Sequence, residues 1–234
     1  MIAIYKPTGN AKEYGSLACN LYKGCGHGCS YCYVPSVLRM DRKEFYNNPQ
    51  PRTGVIEALK KEAPKYQGKE VFLCFTCDPY QPINKKYQLT RQAIEILHKN
   101  DITVNILTKG VITDFDLLAK RPTLSKVGVT FDGTEIFSER LFRNSNLDEA
   151  KKHGIATWAS LEPIIDTKNI MLIIEHWIKN NADIIKLGKW NYDKRSNDID
   201  WHKFVNEAVN LLERLGCKYY IKESLQKYLI KERR

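Results

Sequence analysis

Seven short apolar runs, separated by amphipathic helical patterns, constrain this chain more than any other feature. The runs cover residues 16–21, 70–75, 102–107, 126–131, 155–161, 182–187 and 217–221. Each carries few charges, as strands buried on both faces of a parallel sheet do. Between them, residues 53–65 place Val55, Ile56, Leu59 and Ala63 on one helical face, and residues 89–99 repeat the pattern with Ala93, Ile94 and Leu97. Thr90 reads as the N-cap of that second helix. Further helices are expected at 114–120, 146–153, 167–180 and 200–215, with Gly154 and Gly216 as C-caps. Strand–helix alternation of this kind makes an α/β protein with a parallel sheet. Six or seven units are fewer than a closed barrel needs, so the expected fold is a partial (β/α)6-type TIM barrel with parallel strands. An open, doubly wound sheet is the alternative. No linker or repeat interrupts the pattern, which predicts one domain over 1–234, with a cysteine loop at 23–33 and a strand and helix at 217–234.

Either fold gathers ligands at the C-terminal ends of its strands, so the segments after each apolar run carry the interest. After the first run comes Gly24-Cys25-Gly26-His27-Gly28-Cys29-Ser30-Tyr31-Cys32-Tyr33. Three thiolates at these spacings wrap one compact loop, and the interleaved glycines permit its tight turns. Iron–sulfur clusters take Cys ligands, normally four, so three would leave one iron open to a small molecule. A structural zinc site built from the same three Cys and His27 is the competing reading. The N-terminus lacks the apolar core of a signal peptide, and no window reaches the run of about 18 apolar residues that a membrane span needs. The chain therefore reads as cytosolic, with no membrane partner. There its seven cysteines are better suited to metal or reactivity than to a disulfide framework. Lysine and arginine total 37 against 27 acidic residues, a net charge of +10. That charge would attract a polyanion such as nucleic acid, although scattered lysines also make an ordinary solvated surface.

The cysteine spacing, C-x3-C-x2-C with aromatic Tyr31 before the last Cys, resembles the signature of the radical S-adenosylmethionine (SAM) superfamily. Further segments resemble its spore photoproduct lyase-like branch, the DNA repair photolyase homologues. These are Asn20-Leu21-Tyr22-Lys23-Gly24-Cys25 running into Tyr31-Cys32-Tyr33, then Asp78-Pro79-Tyr80-Gln81-Pro82, Leu89-Thr90-Arg91, Thr108-Lys109 and Glu162-Pro163. The similarity covers roughly residues 16 to 170. It implies a partial barrel and a [4Fe–4S] cluster on Cys25, Cys29 and Cys32, with SAM bound at the open iron. Reductive cleavage of SAM would then give a 5′-deoxyadenosyl radical that abstracts hydrogen from substrate. It also implies a one-electron donor of flavodoxin or ferredoxin type. Nucleic acid is the first substrate class to consider, and a small molecule or protein the second. The chain departs from the lyase itself. It is shorter, its segments after the barrel do not match those that recognise a DNA lesion, and Phe75 stands where the lyase has its hydrogen-donating Cys.

The resemblance also assigns single residues, each with a plainer reading beside it. Thr76 and Asp78 follow the second strand, where SAM's amino group is held, although Asp-Pro is also a common turn starter. Lys109 corresponds to the lysine that holds the SAM carboxylate. Tyr31 belongs to the signature, and Thr130 stands where a hydroxyl lies near SAM, or is simply a β-branched strand residue. Glu162 would bind ribose hydroxyls or substrate, or would pair with Lys186 or Lys222. Cys77 and Tyr33 are the candidate hydrogen donors. Cys74, Cys19 and Cys217 read as core, where free Cys behaves as a small hydrophobe.

Overall fold

The computed structural model describes residues 1–230. Among the described residues nine strands form: β1 Ala18–Cys19, β2 Tyr22–Lys23, β3 Gln50–Pro51, β4 Glu70–Leu73, β5 Thr103–Thr108, β6 Ser125–Phe131, β7 Ala156–Leu161, β8 Ile184–Leu187 and β9 Tyr219–Ile221. Helices α1 Val34–Val37, α2 Arg42–Asn47, α3 Val55–Glu62, α4 Asn84–Tyr87 and α5 Leu89–Lys99 fall in the first half. They are followed by α6 Phe115–Leu118, α7 Phe137–Lys152, α8 Thr167–Ile173, α9 Trp201–Arg214 and α10 Glu223–Gln226. Seven strands make one sheet in the order β1-β4-β5-β6-β7-β8-β9. That order follows the sequence without reversing, so the sheet has no switch point of the doubly wound kind. The architecture is α/β with a parallel sheet, in the order of a partial TIM barrel.

All seven predicted strands are present, most of them shorter than their apolar runs. The predicted C-terminal segment contains β9 and α10, and its last four positions, 231–234, lie outside the described residues. Helix α5 corrects one assignment. Its N-cap position is Gln88, in the left-handed region at φ 49°, and gives no side-chain cap. The Thr90 hydroxyl instead donates to the Pro79 carbonyl, tying the helix to the loop after β4. Helix α7 starts nine residues earlier than predicted, at Phe137 rather than 146. The stretch 167–180 runs as α-helix only to Ile173 and then widens into a π turn, Ile174–Ile178. Gly154 and Gly216 close α7 and α9 with φ near 68° and 67°, as expected of C-caps.

The backbone divides into two compact units, residues 1–128 with 149–156, and residues 129–148 with the chain from Thr157 onward. In the first, β1 pairs with β4 in the register Ala18↔Phe72, and β4 with β5 in the register Glu70↔Thr103. Val71, Leu73, Val104 and Ile106 from these strands pack with Ile94 and Leu97 of α5 and with Val55 and Leu59 of α3, all of them buried. A separate ribbon of β2 and β3 pairs Tyr22 with Pro51 and Lys23 with Gln50.

In the second unit, β7–β8–β9 align Ala159↔Ile185 and Leu187↔Ile221. Helix α9, capped by Asp200 on the Lys203 amide, buries Trp201, Phe204, Val205, Ala208, Leu211 and Leu212. These positions form one helical stripe. A buried ion pair joins Arg143 of α7 to Glu135 at 2.5 Å, with side-chain exposures of 4% and 1%. The Glu135 carboxylate also accepts from the Asp132 and Gly133 amides, and Arg143 donates to the Thr130 carbonyl.

Removing one partner of a buried pair strands a charge and costs about 3–5 kcal/mol. Arg143→Met is therefore expected to destabilise by about that much in urea unfolding. Glu135→Gln combined with Arg143→Met should cost less than the sum of the two single changes.

Candidate active site

The cysteine loop leaves the ribbon at Gly24 and rejoins it at β3, so β2 and β3 clamp the base of an excursion that also contains α1 and α2. Gly24 has φ 84°, and a Cβ there would stand 2.7 Å from the Phe45 carbonyl oxygen and 3.0 Å from Pro49 Cα. Only glycine fits that conformation and that approach. Phe45, fully buried, anchors α2, and its carbonyl accepts from the Cys25 amide at 3.0 Å. Helix α2 also meets the loop's other end. The Tyr46 hydroxyl donates to the Cys29 carbonyl, and Arg42 donates to the carbonyls of Ser30 and Cys32.

A second clamp comes from the loop after β4. Gln81 is fully buried, accepting from the Gly26 amide at 2.9 Å and donating to the Gly24 carbonyl at 3.2 Å. Three residues earlier, Asp78 gathers the other strand end. Its carboxylate accepts from the Thr108 hydroxyl at 2.6 Å, the Lys109 amide at 2.8 Å and the Tyr80 amide at 2.8 Å. His27 Nε2 lies 3.2 Å from Asp78, off the hydrogen-bonding line. Burial works against the charge on Asp78. The adjacent His27 and the Lys109 and Thr108 donors outweigh it and hold this carboxyl below its ordinary pKa. One short loop thus binds both the cysteine loop and the end of β5.

The predicted residues fall as follows. Cys25, Cys29 and Cys32 are free thiols and partly buried. Burial, then Asp78, pushes the Cys25 thiol well above its usual range. Burial also raises Cys32, against which Arg42 works. Lys109 Nζ stands 4.7 Å from the centre of the Tyr31 ring, a cation–π contact that brings these two residues together. The Thr76 amide donates to the Asn20 side chain at 3.0 Å. Tyr33 is exposed at the start of α1. Cys77 is buried in the apolar core with Cys74 and Cys19. The Cys74 thiol is pushed well up by burial and by its hydrogen bond with Cys77. Phe75 instead stacks on Phe72, with ring centres 4.2 Å apart. Cys217, read as core, is only partly buried, with its thiol 3.8 Å from the Lys179 carbonyl.

Thr130 and Glu162 belong to the second unit. Thr130 is buried. Glu162 pairs with Lys222, Oε2 to Nζ 2.5 Å, and Lys222 is 2% exposed. A Cβ on Gly188 would lie 2.5 Å from Glu162 Cδ, so a side chain there would push the carboxylate from its present place. Lys186 places its ammonium over the Trp158 ring at 4.5 Å. Of the two lysines considered for Glu162, Lys222 forms an ion pair with it.

Sequence reasoning missed Gln81, Arg42 and Tyr46, which act through backbone groups of the cysteine loop. The signal for Gln81 is an amide set between Tyr80 and Pro82 just beyond a strand end. Among the described residues no three His, Cys, Asp or Glu side chains are drawn together closely enough to hold a metal ion. The three thiols share one braced loop without converging. Their number and softness suit an iron–sulfur cluster with one open iron.

Comparison with known proteins gives the class. Residues 19–174 match the family model of the radical SAM superfamily, more than half of the chain. This chain belongs to the radical SAM superfamily, which implies an iron–sulfur cluster and SAM. An uncharacterized protein of Methanocaldococcus jannaschii is 29% identical over 235 residues, spanning 83% of this chain and 85% of that protein. One from Mycobacterium tuberculosis is 32% identical over 104 residues, 42% of this chain and 31% of its own length. Among solved structures, a single-residue variant of spore photoproduct lyase superposes with a TM-score of 0.67 at 12% identity, covering 92% of this chain and 78% of the lyase. A double variant of the lyase with bound AdoMet and dinucleoside spore photoproduct gives 0.62 at 14% identity with the same coverage. At this identity the likeness to spore photoproduct lyase is one of fold alone. No described helix is long and apolar enough to cross a membrane.

Replacing Gln81 by Ala strips the partners from two loop groups, at about 1–3 kcal/mol for each group left buried. The expected result is a lower unfolding midpoint. Cys25 and Cys29 should also react faster with a thiol reagent, while Cys19 and Cys74 stay protected.

Proposed function

We propose that Cys25, Cys29 and Cys32 hold a [4Fe–4S] cluster with one iron open to SAM, and that the enzyme abstracts hydrogen from a nucleic acid. When bound, the cluster and SAM supply a one-electron reductive cleavage that yields methionine and a 5′-deoxyadenosyl radical. The observation that carries this reading is the three-thiol loop, braced from two sides, with Lys109 held against its signature residue Tyr31.

The chain's own residues then have distinct tasks. The Lys109 ammonium binds the SAM carboxylate, a charge-assisted contact. Asp78, its oxygens engaged by Thr108, Tyr80 and Lys109, holds the turn that presents that ammonium. Thr76, at the mouth of the same loop, accepts from the SAM amino group. Tyr31 packs against SAM. Tyr33, exposed beside the loop, is suited to return a hydrogen atom to a product radical reached from solvent. Cys77 would do so from the buried side. The roles proposed for Thr130 toward SAM and for Glu162 toward ribose or substrate rest on the family resemblance. The reaction requires a one-electron donor of flavodoxin or ferredoxin type. The nucleic acid proposal draws on the +10 charge and on the dinucleoside photoproduct that the lyase neighbour binds.

Anaerobic reconstitution with iron and sulfide, followed by dithionite and SAM, tests this reading. The wild type is expected to release 5′-deoxyadenosine and Cys29→Ala none. Lys109→Ala should raise the SAM concentration needed by about 10- to 100-fold, the loss of one charge-assisted hydrogen bond. Uptake of zinc with no iron or sulfide would overturn the cluster assignment. Failure to bind single- or double-stranded nucleic acid at low salt would remove the substrate proposal.

A further inference from the structure

We infer that Arg42 and Tyr46 are positioning residues that set the reduction potential of the cluster and its retention. The inference rests on the cluster reading above and extends it to residues outside the signature. Asp41 caps α2 by accepting from the Lys43 and Glu44 amides. Arg42 and Tyr46 then stand one helical turn apart on the same face. Arg42 Nη2 donates to the Cys32 carbonyl at 2.6 Å, while Nη1 donates to the Ser30 carbonyl at 3.2 Å and to the Tyr46 hydroxyl at 2.9 Å. The Tyr46 hydroxyl passes the chain on to the Cys29 carbonyl at 2.8 Å. It also lies beside the Cys32 thiol. Two of the three thiol-bearing residues are therefore held by their main chain to one guanidinium–phenol pair, and the third is held by the Phe45 carbonyl.

Electrostatics gives the pair its effect. Three thiolates drawn onto one cluster would repel one another, and one-electron reduction would add a further negative charge there. A guanidinium fixed at Cys32 stabilises the more negative state and raises the potential. Charge and hydrogen bonding around the sulfurs are the general levers on iron–sulfur potentials. The planar fork matters as well, because it spans two carbonyls at once, which a lysine ammonium cannot match. Pulling those carbonyl oxygens toward Arg42 also turns their negative ends to the helix.

The test compares wild type, Arg42→Gln, Arg42→Lys and Tyr46→Phe after anaerobic reconstitution. Iron and sulfide content are measured first. Midpoint potential follows by dithionite titration with viologen mediators, read by electron paramagnetic resonance. Arg42→Gln is expected to have a more negative potential at unchanged iron content, and to lose iron to a chelator several-fold faster. Arg42→Lys should recover the potential but not the slow release. Tyr46→Phe should shift the potential the same way by less. A wild-type potential in both Arg42→Gln and Tyr46→Phe would overturn the inference while leaving the cluster reading intact. If Arg42→Gln takes up no iron, Tyr46→Phe decides alone by the same criterion. A wild type that takes up no cluster would overturn the cluster reading itself, and this inference with it.

Discussion

Asp78 and Gln81 stand three residues apart on one short loop, and between them they hold the parts of the first unit that face chemistry. Gln81 satisfies two backbone groups of the cysteine loop. Asp78 satisfies a hydroxyl and an amide at the end of β5. Each bond is modest in isolation, about 1 kcal/mol net. Breaking the bond to the buried Gly24 carbonyl costs more, because that group stays buried without a partner. The loop is itself held by the Thr90 hydroxyl on the Pro79 carbonyl, so α5 transmits the position of the apolar core to the site. Lys109 inherits its place from this arrangement, since its amide is one of the groups that Asp78 binds.

Much of this could be read from the sequence. The strands stand out because each is an apolar run too short to be a helix. The runs at 16–21 and 70–75 extend beyond β1 and β4 because Leu17 and Cys74, although buried, lie outside the paired residues. Helix α7 was half hidden. Arg143 and Asn146 lie on its buried side, so the apolar stripe that marks a helix is broken by polar residues with internal partners. The β2–β3 ribbon is two residues long and includes Pro51, leaving no pattern to read. At the site, the single loop that carries the three cysteines and the place of Lys109 just after β5 were legible from spacing and from the apolar runs. Gln81 and Arg42 were not, because they act on backbone groups, across 55 residues in one case, and backbone groups leave no sequence signal.

The second unit follows a different logic from the first. Two ion pairs reach into its interior, Arg143 with Glu135 and Lys222 with Glu162. Buried pairs contribute little net stability compared with apolar packing. Their use here is geometric. Glu135 fixes the turn after β6 through two amides, and the Glu162 carboxylate is aligned by Lys222 on one side and by the missing side chain of Gly188 on the other.

The central claim is that three cysteines on a doubly braced loop leave one iron of a cluster open to SAM. The most direct measurement is electron paramagnetic resonance of the reduced, reconstituted wild-type chain, recorded with and without SAM. The account predicts a [4Fe–4S] signal whose g-values change when SAM is added and do not change with 5′-methylthioadenosine, which lacks the amino and carboxylate groups. A signal indifferent to SAM, or a chain that holds only zinc, would contradict it.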